Sequence, residues 1–267
     1  MDRRTAAVRV TAAPVVAAPS LPRRVGRALA AQGRSFGADL TLGGIGAATF
    51  VLSASIAASI PPDVAGAPED VKMLVVGPLS AVIGVYAAVM AAIYGSFRYT
   101  VDRRSGVVAQ RATLQSRPWA LVGRVPFAAL GGATVAAAAV LGGRLALVPT
   151  FGLAGVDLGD VLAILAVGAA AAVWGLGVGL VVQAHLPALF IAPFSISAAL
   201  MAASLWPDIS AWMPLPTMLR GAGLDLEALG IGETVGPGQG LACALATAWV
   251  AIALAAGAWS FLRRDVR

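Results

Sequence analysis

"VLAILAVGAAAAVWGLGVGLVVQAHLPALFIAPFSISAALMAASL", residues 161–205, decides how this chain folds. These 45 residues hold no Asp, Glu, Lys or Arg. As one helix they would reach roughly 68 Å, about twice the thickness of a hydrocarbon core of ~30 Å. A single span is therefore excluded on length. "QAHLP" (183–187), with Pro187 and then Pro193, supplies a break, because proline cannot donate to the helix ladder. The stretch predicts two spans, Val161–Val182 and Leu186–Leu205, joined by a tight turn. It is also apolar on every face, so it lacks the alternation that a β-barrel strand requires.

The same pattern recurs on both sides of it. The chain is 59% hydrophobic and 12% charged, against about 25% charged in soluble domains, and its mean hydropathy is +0.85. Four more spans are predicted at Thr41–Ile60, Met73–Tyr94, Val125–Val148 and Leu241–Leu262. The fold class expected is all-α, a polytopic membrane protein with six transmembrane helices. Charge checks that count independently. Seven arginines precede the first span, six lie in 97–124 and three in the terminal "FLRRDVR", sixteen in all, whereas the other loops hold only Lys72, Arg144 and Arg220. Lys/Arg bias in short flanking loops sets orientation, so both termini are expected on the cytoplasmic side. Two termini on one side need an even number of crossings. Six fits; five would strand the last arginines outside. The pI near 10.6 follows from this arrangement rather than from one basic patch, so no nucleic-acid partner is expected. The lone Cys243 admits no intrachain disulfide and reads as a small packing residue.

Residues 1–20 form an Ala/Val/Pro-rich tail, expected to be disordered, and the first long apolar run starts too late for a cleaved signal peptide. Next comes "LPRRVGRALAAQGRSFGADL" (21–40). At helical spacing Leu21, Val25, Leu29, Phe36 and Leu40 share an apolar side, and Arg23, Arg27 and Arg34 share another. Such a helix lies in the membrane interface with its arginines near lipid headgroups, which makes membrane lipid a partner.

Several chemistries are missing from the sequence. The only lysine, Lys72, precedes Met73, so no phosphate-binding loop ending in Lys-Ser/Thr exists here. One histidine, His185, falls at the turn between the fourth and fifth spans, and no acid falls deep within a span. Ion-coupled carriers rely on such intramembrane groups as relays. No paired acids or His/Cys cluster suggests catalysis, so no catalytic residue, metal ligand or bound cofactor is expected and the chain is not read as an enzyme. Mild hydroxyls remain: Thr49, Ser53, Ser80, Tyr86 and Ser195 are candidates to line a weakly polar pathway. "GLGVG" (175–179) puts Gly175 and Gly179 on one helix face and reads as close packing.

The polar segment 97–124, "FRYTVDRRSGVVAQRATLQSRPWALVGR", is longer than topology requires. Its residues predict a helix–turn–helix with an exposed apolar edge at Val108 and Leu114. Read from these residues alone, it serves either as the input of a transporter or as the docking loop of a non-transporting scaffold that recruits a cytoplasmic protein. Here the chain resembles the ABC-2 family of ATP-binding-cassette transporter membrane subunits. That family has an acidic–x–x–x–Gly element after its second span, a short coupling helix, a Ser-Arg step and a basic residue opening the third span. This sequence shows them as "DRRSG", "AQRATLQ", Ser116–Arg117 and Arg124. The basic helix at 21–40 resembles the family's connecting helix. "WPDISAWMPLPTMLRGAG" is similar to its re-entrant outer segment, within an outer loop at 206–237. "FLRRDVR" is similar to its frequent ending. Asp102 stands where the family usually has Glu, Val107 where it has Thr, and Pro118 follows Arg117 rather than preceding it.

The resemblance implies a six-helix permease domain over 21–267 with the architecture of a type V exporter. It implies that Gly106, Val108, Gln110, Arg111, Leu114, Gln115, Ser116 and Arg117 contact a separate ATPase subunit, which binds the ATP and Mg. A second permease subunit would complete the transporter. The cargo would be amphipathic or hydrophobic (drug, lipid or peptide), moved outward across a bacterial cytoplasmic membrane.

Overall fold

The structure, a computed structural model, describes residues 20–114, 116–151, 157–231 and 236–263. The tail 1–19, Gln115, part of the outer loop (232–235) and the terminal 264–267 lie outside the described residues, as do the side chains of Arg111 and Leu114.

Among the described residues the chain forms eleven α-helices and two 3₁₀ turns, with no strand. Six helices are long and apolar enough to cross a membrane: α2 (Leu40–Ala58), α4 (Leu79–Arg104), α6 (Arg117–Phe151), α7 (Leu158–Val182), α8 (His185–Ala203) and α11 (Gln239–Arg263). All six helices expected to be long and apolar enough to cross are present. Five shorter helices join them: α1 (Leu21–Phe36), α3 (Glu69–Val76), α5 (Val107–Leu114), α9 (Pro207–Ser210) and α10 (Pro214–Gly221).

Two crossings have bounds that differ most from the sequence reading: the second is shifted at both ends, and the third, expected to open at Val125, opens at Arg117 as α6, so that Arg117–Arg124 is helical. The second crossing was expected to start at Met73, but a separate short helix, α3, ends at Val76 and α4 opens at Leu79. Pro78 causes this: it lacks the N–H that would continue α3, and it serves α4 as N-cap. Helix α4 then runs ten residues beyond Tyr94, so Arg98 and Asp102 are helical rather than in a loop. The break between α7 and α8 falls where expected, after Val182, but the residue that makes it is Gln183 rather than a proline: it is left-handed with φ 58°, and its N–H bonds the Gly179 carbonyl at 2.9 Å. Pro187 falls in the first turn of α8, where a missing N–H costs nothing, and Pro193 stays inside that helix.

Glycine and alanine set the packing. Lipid offers no hydrophobic drive between helices, so close backbone approach must hold them together. A Cβ on Gly95 of α4 would fall 2.0 Å from the Ala172 carbonyl of α7, and one on Gly175 would fall 2.1 Å from Ala92 O. Gly179 meets Ser96 on the same face, so the Gly-x-x-x-Gly pair packs α7 onto α4. Gly177, on the opposite face, meets Ala253 of α11, and Gly132 of α6 meets Gly168. Helix α7 is thus clasped on three sides and, with α4, is the most buried of the crossings; α2 and α11 are the least buried.

Helix α1 lies along α6, with Ala28 against Gly123 and Phe36 tilted on Phe127 at 5.6 Å between ring centroids. Its arginines Arg23, Arg27 and Arg34 are exposed, as are Leu21 and Leu29. Leu40 belongs to α2 instead. Asp39 separates the two helices, and its Oδ1 accepts from the N–H groups of Thr41 and Leu42 at 3.1 and 3.3 Å as the N-cap of α2.

Candidate functional site

The arginine-rich segment assembles at one end of the bundle, the basic end, where α1, α5 and the ends of α4, α6, α7, α8 and α11 converge. Its frame is two ion pairs one helical turn apart on α4. Arg98 Nε lies 3.0 Å from Asp39 Oδ2, both side chains nearly buried, and the Tyr94 hydroxyl donates to the same carboxylate oxygen at 3.1 Å. The Arg98 guanidinium also sits over the rings of Phe36 and Tyr94, at 5.4 and 6.0 Å from their centroids. One turn on, Asp102 Oδ2 accepts from Arg124 Nη2 at 3.0 Å, and Arg124 lies over Tyr99 at 5.3 Å. The first pair ties the α1–α2 junction to α4. The second ties α4 to α6.

Helix α5 hangs between the ends of that second pair. Ser105 closes α4, and its hydroxyl donates to Val101 O at 3.0 Å. Gly106 turns the chain with φ +76°, a conformation that side chains beyond Cβ-less glycine resist. Its carbonyl then accepts from Gln110 N at 3.0 Å, opening α5. After α5, Ser116 O accepts from Trp119 N and Ala120 N to start α6, with Pro118 in the first turn. The helix–turn–helix expected for this segment is present.

One expectation about it is corrected. Val108 is not part of an exposed edge: it is 4% exposed and packs with Tyr99, Ala128, Leu176, Leu180 and Phe261. The cause is its place in the first turn of a short helix, where an apolar side chain gains most by anchoring that helix to the bundle. Gln110 and Ser116 are exposed, Arg117 is half-exposed, and Arg117 Nη1 donates to Leu262 O of α11 at 3.5 Å. Arg111 and Leu114 belong to α5 but their side chains, and the whole of Gln115, lie outside the described residues.

Sequence reasoning missed several groups here. Arg103 donates to the Gln183 side chain, and Gln183 Nε2 donates to Ser260 Oγ at 3.3 Å, linking α4, the α7–α8 turn and α11. His185 lies against Phe97 with centroids 4.4 Å apart, and Tyr99 meets Phe261 edge-on at 6.2 Å. A signal for Asp39 exists: an Asp immediately before an apolar helix is a cap residue. Its pairing with Arg98, 59 residues away in sequence, has no local signature.

The pathway candidates are not gathered into one cavity. Thr49 bonds Ile45 O of its own helix, and Ser53 donates to Ala139 O of α6 at 2.6 Å. Ser80 donates to Asp160 Oδ2 at 2.6 Å at the end opposite the basic one, beside Arg144. Tyr86 is exposed on α4, and Ser195 accepts from Trp174 Nε1 at 3.0 Å on the α7–α8 seam. Among the described residues no three His, Cys, Asp or Glu side chains gather. Compared with known proteins, the chain matches no protein-family model and no curated sequence.

Asp39→Ala removes an N-cap, an ion pair and the acceptor of Tyr94 together. The expected cost is about 2–4 kcal/mol, since a cap alone accounts for ~1 and breaking a buried pair for more. Thermal unfolding in detergent checks it; a shift no larger than that of Asp63→Ala, on an exposed turn, refutes it.

Proposed function

We propose that this chain is the membrane-spanning permease subunit of an ATP-driven exporter, similar to the ABC-2 type, working with a separate ATPase. The observation that carries the reading is the mounting of α5. A short helix at the basic end is anchored by Val108 and bracketed by the Asp102–Arg124 pair, so a push on it bears on α4 and α6. The residues that make this mounting are those on which the family resemblance rests: Asp102, Gly106 and Arg124.

In this reading the basic end faces the cytoplasm. Closure of an ATPase dimer on bound ATP displaces α5, and α4 carries the motion toward α7 through their glycine seam. Force enters through Gln110, Ser116 and Arg117; Val108 transmits it inward. A second permease subunit covers part of the little-buried α2, α8 or α11, and the pathway forms between copies, in keeping with the scatter of hydroxyls within one chain. The cargo is amphipathic or hydrophobic.

The test is affinity purification of the full chain from its native membrane. An ATPase with a phosphate loop is expected to co-purify, and Arg117→Glu is expected to lower its stimulated activity about tenfold, as loss of an interfacial charge contact does. Recovery of a cytoplasmic protein without nucleotide-binding motifs, with no ATPase, would instead favour a membrane scaffold.

A further inference from the structure

Helices α7 and α11 touch closely at one level and part beyond it. Toward the basic end a Cβ on Gly177 would fall 2.5 Å from Ala253 O, and one on Gly257 would fall 2.6 Å from Gly177 O. At the opposite end α10 is wedged beside them, with Gly221 so near α11 that a Cβ would meet the Cys243 backbone at 2.8 Å. Between crossing and wedge lies a cleft of about 450 Å³, within the ~300–1,000 Å³ of small-ligand sites.

Its walls are hydrocarbon: Val167, Ala170 and Val173 of α7, Ala246 and Val250 of α11, and Met218 of α10. The hydroxyl of Thr247 at the rim is spent on the Cys243 carbonyl, 2.9 Å away. An occupant therefore finds no hydroxyl proton waiting for it, only the weak thiol of Cys243. The rim residues Thr247 and Ala251 are exposed, so the cleft opens sideways along the apolar length of α11, continuous with that helix's exposed side. Along α11 it runs from Cys243 to Leu254, about 16 Å at the helical rise, or roughly half of a ~30 Å hydrocarbon core.

The geometry points to a lipid site: one acyl chain of a phospholipid, from the leaflet opposite the basic end, lies in this cleft with its methyl end toward the Gly177–Gly257 crossing. Length selects this occupant. A side chain from another protein would fill part of a groove this long, whereas a run of methylenes fills all of it, and the surrounding solvent already consists of such chains. The inference needs no ATPase, and it leaves α2, α8 or the other side of α11, not this cleft, to any second copy or permease subunit.

A phosphatidylcholine carrying a diazirine midway along one acyl chain tests it, in lipid discs holding the purified full chain. After irradiation, adducts mapped by mass spectrometry are expected to concentrate on 166–173 and 243–254, above the density on α2, an apolar and little-buried helix. Ala246→Phe, which fills the cleft, is expected to lower adducts on 166–173 about tenfold, since several methylenes lose their contacts, and to leave α2 unchanged. Ala170→Leu fills it from the other wall and guards against one variant failing to fold; if both fail, the wild-type distribution decides. Adducts spread evenly over all apolar helices overturn the proposal, as does ready Cys243–Cys243 cross-linking between copies, which would put a second protein there.

Discussion

Gly175→Ala will destabilise the helix bundle, and Gly46→Ala will not. The methyl group added at 175 would sit 2.1 Å from the Ala92 carbonyl oxygen and 2.8 Å from its Cα, where carbon contacts need about 3.5–4 Å. Both obstacles are backbone, so no side-chain rotation relieves them. Helices α4 and α7 must move apart, and they form the most buried seam in the molecule. Overpacking costs about 1–3 kcal/mol, and a backbone obstacle places this substitution at the upper end. Gly46, on α2, has nothing within 4 Å of its Cβ position, so alanine there meets open space and gains helix propensity. Fluorescence-detected size exclusion after a heating series compares the two directly. Equal midpoints would show that the α4–α7 seam is looser than described.

The second large effect is at the ion pair that brackets α5. Asp102→Ala is expected to cost roughly 3 kcal/mol, because Arg124, with its side chain 7% exposed, loses the carboxylate that offsets its burial. The double variant Asp102→Ala with Arg124→Leu is expected to recover most of that loss, since it removes the buried charge with its partner. A double-mutant cycle on thermal stability measures the coupling, and additive single effects would refute it. Partial burial also makes the pair less sensitive to salt than an exposed one, so the deficit should persist at high ionic strength. Under the proposed function the same variant frees one end of α5. Coupling of ATPase activity to the permease should then fall further than stability does.

The number of crossings is readable from the chain because two independent quantities, apolar length and arginine placement, constrain it. The α4–α7 seam is readable in part: Gly175 and Gly179 are spaced to share a face, but nothing local says that Ala92 and Ser96 lie opposite them. Helix α5 is readable from Gly106 and the polar run around it. The placement of Val108 is not, because amphipathicity indicates which residues seek burial without saying whether the covering surface comes from the same chain. The arginines show the limit most clearly. In sequence they look like six alike charges, yet Arg98, Arg103 and Arg124 are engaged with Asp39, Gln183 and Asp102. Which ones turn inward depends on where distant acids and amides are carried by the fold. The hydroxyl candidates lie apart within one chain for a similar reason: a Ser or Thr in an apolar helix bonds whatever acceptor the fold brings near it.

Only Gln183 and Ala184 separate α7 from α8. During biosynthesis no stretch of water-loving chain is long enough to wait outside while one of these helices enters lipid and the other follows. The fourth and fifth crossings must partition as a paired unit, and a nascent chain halted after Val182 presents the insertion machinery with a different problem from one halted after Ala203.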